Sequence, residues 1–278
     1  MSLLWRDQID VFLAPGRIDL AHTARGLKPV KRPVVTEQVS LPAEGQVAWE
    51  KPLQQLDEML SGSAGAGMTV TLSNHFARYA VLLPQAEITT PEEVFAYADF
   101  RMHEIYGARA DHWVISISHW NPLYGAISAA IPQEFMAKVE EICERHMIRL
   151  NGIEPYFTAV LNRWGKGLDR KKAYVAVIET GRLCVGVLED NIWQNIRNQR
   201  ILNNVEAELW AALDQEAVLS GQKELIEQVF LFAPEHASFT LPPDCGWQVV
   251  PLPAGNMPVP GHYPKTFTGP AEENACHA

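Results

Sequence analysis

The chain has 278 residues, 47% apolar and 20% charged, with 33 acidic against 23 basic side chains and a formal charge of −10. This composition excludes a chain disordered throughout and a coiled-coil rod, and the acidic balance works against non-specific binding to nucleic acid or anionic lipid. The longest apolar runs, 173–178 and 183–188, fall far short of the roughly 20 residues that cross a bilayer, and Arg6, Asp7 and Asp10 stand where a leader would need an apolar run. Cys143, Cys184, Cys245 and Cys276 form no C-x-x-C pair, so the spacing signatures of zinc and redox sites are missing. A soluble protein of a reduced, cytoplasmic compartment is expected.

The first elements are short and extended. Residues 9–14 and 17–22 flank Pro15-Gly16, a hairpin turn, and 33–41 is a third Val/Thr-rich run. Trp49, Leu53, Leu56 and Leu60 then repeat at helical spacing, the Gly/Ser/Ala stretch 61–67 stops that helix, and 68–72 alternates as a strand. The order is βββαβ. After Lys172 the same order returns. Strands at 173–178 and 182–188 meet at the Thr180-Gly181 corner, Asp190-Asn191 turns into a third run at 192–201, Val205, Leu209 and Leu213 mark a helix, and 229–232 is a buried strand. The repeat is one of element order, not of sequence. Three antiparallel strands feeding a helix and another strand make a ribonuclease H-like unit. Two such units predict an α/β protein of duplicated ribonuclease H-like, actin-like architecture.

The segment between the units reads strand, helix, strand, strand. Residues 76–83 are the first strand. Thr90, Pro91 and Glu93 form a capping box with proline at the first helical position, and Val94, Ala98, Arg101 and Ile105 mark a helix face. Residues 113–117 and 123–131 form a hairpin around Asn121-Pro122. A helix from Pro132 presents Phe135, Val139, Ile142 and Cys143, 147–153 is a strand, and 155–164 is a helix ending at Gly165. The expected division is 1–73 with 132–166 as the first unit, 74–131 as an inserted subdomain, 167–253 as a trimmed second unit, and 254–278 as a flexible or extended arm rich in proline and glycine. Arg163, Lys166, Arg170, Lys171 and Lys172 form a short basic stretch, read as a solvated linker.

Four stretches in this order resemble the actin-like proteins of type IV pilus assembly and type II secretion, the PilM and GspL families. They are 69–84, ending in Leu-Pro, the helix 91–106, the stretch 123–155 with Gly152-Ile153-Glu154-Pro155, and the hairpin 173–188. The division protein FtsA shares the strand-helix-strand-strand insertion. The resemblance spans about four-fifths of the chain as an order of elements. It implies a cytoplasmic scaffold, peripheral to the inner membrane, that binds the cytoplasmic segment of an inner-membrane pilus or secretion component, with a motor ATPase as a further partner. Open strand edges of the inserted unit would take an extended peptide by strand addition. Arg78, Tyr79, Tyr97, Arg101 and Tyr124 are the candidate partner-binding residues, chosen because aromatics and arginine dominate interfaces.

Actin-like ATPases press two glycine-containing hairpins against the phosphates, where backbone N–H groups donate unobstructed. Here Pro15 removes a donor from the first hairpin, and the Asp-x-Gly-Thr/Ser pattern is missing. In the second, Glu179 and Gly181 approximate Asp-x-Gly, but Arg182 replaces a small residue. The expectation is a pseudo-ATPase without cofactor. If nucleotide binding is retained, Glu179, Gly181 and Arg182 carry it, with Arg182 on a phosphate. An active ATPase or sugar-kinase-like enzyme, using ATP and magnesium, is the alternative. A metal-dependent nuclease using Asp10, Asp19 and Glu179 is a third reading, although neither the acidic charge nor the duplicated plan suits it. The nine histidines show no metal spacing, since His112 and His119 lie on opposite faces of one strand.

Overall fold

The computed structural model describes residues 6–26, 29–42, 45–168, 171–221, 227–236 and 239–253, and the backbone of 267–268. Strand β1 (Gln8–Ala14) turns at Pro15-Gly16 into β2 (Arg17–Ala24). The run expected at 33–41 is a strand only at β4 (Val35–Gln38), and a separate short strand, β3 (Val30–Lys31), precedes it. Both pair with β2, β3 at its far end and β4 at its near end. Helix α1 (Glu50–Met59) leads to β5 (Gly67–Leu72), which lies parallel to β1 and is buried along its whole length because both faces are covered. Ile9, Val11 and Leu13 pack against Leu53, Leu56 and Leu60 of the helix.

A separate sheet follows, from β6 (Arg78–Leu82), β7 (Trp113–Ile117) and β8 (Ala126–Pro132), with β8 in the middle. Between β6 and β7 runs α2 (Pro91–Tyr106). It begins with the expected capping box, in which the Glu93 N–H donates to the Thr90 hydroxyl and the Glu93 carboxylate accepts from the Thr90 N–H at 3.0 Å. Its buried face is Val94, Ala98 and Met102. Ile105, expected on that face, is 48% exposed, because the helix phase puts Met102 inward instead.

Helix α3 (Gln133–Arg145) returns the chain to the first sheet as β9 (Arg149–Pro155), parallel to β5 and at the sheet edge. Helix α4 (Tyr156–Trp164) then crosses to the second large sheet. There β10 (Lys172–Glu179), β11 (Arg182–Glu189) and β12 (Ile192–Arg200) form an antiparallel meander, α5 (Val205–Leu219) follows, and β13 (Glu227–Phe232) lies parallel to β10. Asp190 and Asn191 turn β11 into β12 with φ of 49° and 67°, as a two-residue hairpin demands. Lys172 is not a linker residue, since it opens β10 and pairs with Glu227 at 2.6 Å. One further strand was not legible in the sequence: β14 (Trp247–Pro251) pairs parallel with β13.

The two large sheets therefore share one plan. Their orders are β3-β2-β1-β5-β9 and β12-β11-β10-β13-β14, a meander followed by two parallel strands on the other side of the first. A two-residue strand, β15 (Phe267–Thr268), adds antiparallel to β7 opposite Ser116 and Ile117. The rest of the segment 254–278 lies outside the described residues.

The sheets meet through α4. Phe157 is fully buried against Tyr79 of β6 and Trp193 of β12, and Tyr156 lies between Phe12 and Phe232. Gly186 makes the approach possible, because a Cβ there would stand 2.5 Å from Phe157 Cζ and 2.9 Å from Trp193 Cζ3. No helix among the described residues is long and apolar enough to cross a membrane.

Candidate functional site

The hairpin tips of the two large sheets are joined by one carboxylate. Glu235, shortly after β13, accepts from the backbone N–H of Thr180 at 3.0 Å, from the Thr180 hydroxyl, and from Arg17. Arg17 also pairs with Asp19 at 2.9 Å and lies over the Phe12 ring. Burial alone would raise the pKa of Glu235. The Thr180 hydroxyl, the Arg17 charge and the Thr180 amide outweigh it and hold this carboxyl below its ordinary range. The amide of Thr180, at a glycine-containing hairpin corner where an anion would be received, thus holds the chain's own anion.

Beneath that corner lies a polar knot. Glu179, 4% exposed, accepts from the Asn74 N–H at 2.8 Å. Asn74 Oδ1 accepts from the Tyr79 hydroxyl at 2.6 Å and from the Phe157 N–H at 3.1 Å. Asn198 Nδ2, from β12, donates to the carbonyls of Asn74 and Ala77. Residues 73–77, between β5 and β6, are in this way tied to all three sheets. Of the three nucleotide candidates, Glu179 is committed to this knot, Gly181 forms the corner with φ +74°, and Arg182 is 8% exposed. The acids of the nuclease reading are spread out, with Asp10 on β1, Asp19 on β2 and Glu179 on β10. Among the described residues no group of three or more His, Cys, Asp or Glu side chains is placed to hold a metal ion.

Burial pushes Glu179 from 4.5 up to about 7, against the opposing hydrogen bonds from Ser73 and Asn74. Its pKa in the folded chain exceeds the unfolded value, so the folded chain holds more protons between about pH 4.5 and 7. The stability it contributes is present below that window and lost as pH rises through it. Glu179→Gln keeps an oxygen for the Asn74 N–H and removes the titration. Urea denaturation should find the variant more stable than the parent by about 2–3 kcal/mol at pH 8, with the gap closing by about pH 4. His75, lowered to about 4 chiefly by burial, acts in the opposite direction but is common to both proteins and cancels in the difference.

A groove of about 760 Å³ opens between the outer edge of β9 and β7, whose own edge carries β15. Its floor includes Ile127 and Ala129 of β8, one wall is α3 with Met136 and Cys143, and the other is α4 with Thr158 and Leu161. Gly152 and Gly165 line it, and at each an added Cβ would meet open space. Burial raises the Cys143 thiol to about 11, so it is an apolar wall atom rather than a nucleophile.

None of the five expected partner-binding residues lines this groove. Tyr79 is not a surface residue at all. It is 1% exposed, because β6 is covered on both faces and its ring meets Phe157. Arg78 is half-buried and donates to the His75 and Ala77 carbonyls. Tyr97 rests edge-on against Trp120, Arg101 pairs with Glu104, and Tyr124 is exposed in the β7–β8 connection. Sequence reasoning missed Glu235, Asn74 and the groove-lining glycines. Gly152 was visible only as part of the Gly-Ile-Glu-Pro stretch.

No family model matches the chain, and no curated protein matches it in sequence. Solved structures do match in fold. One is the PilM–PilN type IV pilus biogenesis complex, with TM-score 0.63 at 15% identity over 88% of each chain. Another is the cytoplasmic domain of EpsL, an inner-membrane component of the type II secretion system of Vibrio cholerae, with TM-score 0.53 at 9% identity, covering 89% of this chain and 90% of that one. A Bacteroides thetaiotaomicron protein with an actin-like ATPase fold gives 0.58 at 8% identity over 82% of each. The fold is that of the actin-like ATPases.

Proposed function

We propose that this chain is a cytoplasmic actin-like scaffold that holds an extended segment of an inner-membrane pilus or secretion component in the groove between β7 and β9, without hydrolysing nucleotide. The observation that carries the reading is the groove itself, a channel of mixed polar and apolar lining with an edge on β9 that pairs with no further strand among the described residues and, on β7, an edge that takes up the chain's own β15. Backbone hydrogen bonds along such an edge supply affinity, and side-chain pockets supply specificity. The fold shared with PilM, which forms a complex with PilN, and with the cytoplasmic domain of EpsL supports a partner at the inner membrane. The Glu235 carboxylate on the Thr180 amide supports a cradle closed to triphosphate.

In this reading residues 1–73 and 132–166 make the first unit, 74–131 the inserted subdomain that forms one bank of the groove, and 167–253 the second unit. The chain stays peripheral to the membrane and reaches it through its partner. Synthetic peptides from the cytoplasmic segments of the host's single-span pilus and secretion proteins, titrated against the full chain by fluorescence anisotropy, test it. One saturable peptide, competed by no amount of ATP and magnesium, is the expected result. Saturable ATP–magnesium binding with turnover, and no peptide binding, would replace the scaffold by an enzyme.

A further inference from the structure

A second site lies on the side of the β10–β11 corner away from Glu235. Arg182 opens β11 and Arg200 closes β12, and the two stand directly opposite each other in the ladder. Like charges in that position repel. Arg78, at the start of β6, donates to the His75 carbonyl at 3.2 Å and lies within reach of the charges of Arg200 and of Arg109, in the 3-10 turn after α2. His75 closes the cluster, its ring Nε2 within 3.0 Å of the Thr180 carbonyl oxygen and beside Gly181. Burial first, then neighbouring charges, lower the proton affinity of two of the arginines: Arg109 and Arg200 act on Arg78, and Arg78 and Arg200 act on Arg182.

The carboxylate acting on Arg182 is Glu179, which already serves Asn74, and beside it stands only the weaker Cys184 thiol. Arg78 feels the weaker tyrosines Tyr106 and Tyr79. Among the described residues no carboxylate forms a salt bridge with any of the four arginines. Arg182 is more than nine-tenths buried, and its Nε has no hydrogen-bond partner. An acidic chain with carboxylates to spare has left the buried Nε of Arg182 without a partner beside three more cations. Such an arrangement is costly unless an anion completes it. Arginine rather than lysine at every position fits a forked, multidentate acceptor.

We propose that Arg182, Arg200, Arg78 and Arg109 form a binding site for a phosphate group, separate from the Glu235-filled hairpin cradle. Pyrophosphate is the soluble probe, and vesicles of phosphatidic acid in phosphatidylcholine present the same chemistry at a surface. The site stands or falls independently of the peptide groove.

The full chain is titrated with sodium pyrophosphate by calorimetry in metal-free buffer and is separately sedimented with the vesicles. Saturable binding to one of the two is expected, identifying a soluble phosphate or a headgroup as the source. Arg182→Gln and Arg200→Gln should each weaken it at least tenfold, while the exposed Arg25→Gln should not. Arg200→Gln also gives a readout that a merely structural arginine would move the other way. By relieving the cross-strand repulsion it should raise the ligand-free Tm by about 2–4 °C while abolishing the pyrophosphate-dependent rise. Absence of binding in both arms, equal affinity in all three variants, or binding that appears only in Glu235→Gln and therefore belongs to the cradle would each overturn the proposal.

Discussion

Gly186→Val is expected to destabilise the chain by about 3–5 kcal/mol, among the largest effects a single substitution has here. The cost does not come from backbone conformation, since Gly186 lies mid-strand in β11 with partners on both sides. It comes from space. The position a Cβ would take is 2.5 Å from the ring of Phe157, which descends from α4, and 2.9 Å from Trp193 on the neighbouring strand. The Phe157 ring cannot retreat easily. Phe157 is fully buried against Tyr79, and its backbone N–H is fixed by Asn74. The clash is therefore felt where the two large sheets and the third sheet meet. Urea denaturation followed by tryptophan fluorescence should show the midpoint falling with little change in slope. The pair Gly186→Ala and Phe157→Ala should be strongly non-additive, because truncating the ring opens the room that the methyl needs. Additive costs would mean that the ring and the glycine do not share this space.

Gly152→Trp should do the reverse, leaving the fold intact and removing partner binding. Gly152 sits on the free edge of β9, its φ is ordinary, and a side chain built there meets nothing within 4 Å. An indole at that point fills the groove instead of the core. Affinity for the bound segment should fall at least 100-fold, about 2.8 kcal/mol, with the urea midpoint unchanged. Gly165→Trp, on the groove's α4 side, should act alike. Tyr124→Ala, in the β7–β8 connection and away from the groove, should leave binding as it was. Equal affinity for parent and Gly152→Trp would remove the groove from the interface.

Much of the fold could be read from the residues, because its signals are local. The capping box at Thr90, the Asp190-Asn191 turn and the apolar runs of β10 and β11 are each determined by neighbours in sequence. The duplicated order followed from them. β14 escaped because Trp247–Pro251 is a parallel strand whose partner, β13, is distant in sequence and whose own pattern alternates weakly. The expected run at 33–41 is strand only over 35–38, and β3 lies before it, because the two segments pair with different ends of β2, a matter of register and not of propensity.

The site was far less legible. Arg182 stands out in the sequence as an unusual residue at a glycine corner, but the role proposed for it depends on Arg200 across the ladder and on Arg78 and Arg109 from the inserted segment. Glu235 carries no motif, and only folding brings it to Thr180. The partner residues were chosen by residue type. Tyr79 shows the weakness of that choice, since a tyrosine fits an interface and a polar core equally well, and here its hydroxyl was needed by Asn74.

Amide hydrogen exchange of the full chain, with the bound peptide and with ATP–magnesium in parallel, measures directly which surface works. Slowed exchange in 114–118 and 149–155 on adding peptide, with no change at 14–17 or at the Thr180 amide on adding nucleotide, is predicted. Protection of the two hairpin corners by nucleotide, with the β7 and β9 edges unaffected by peptide, would contradict a groove-binding scaffold whose phosphate cradle is filled by its own glutamate.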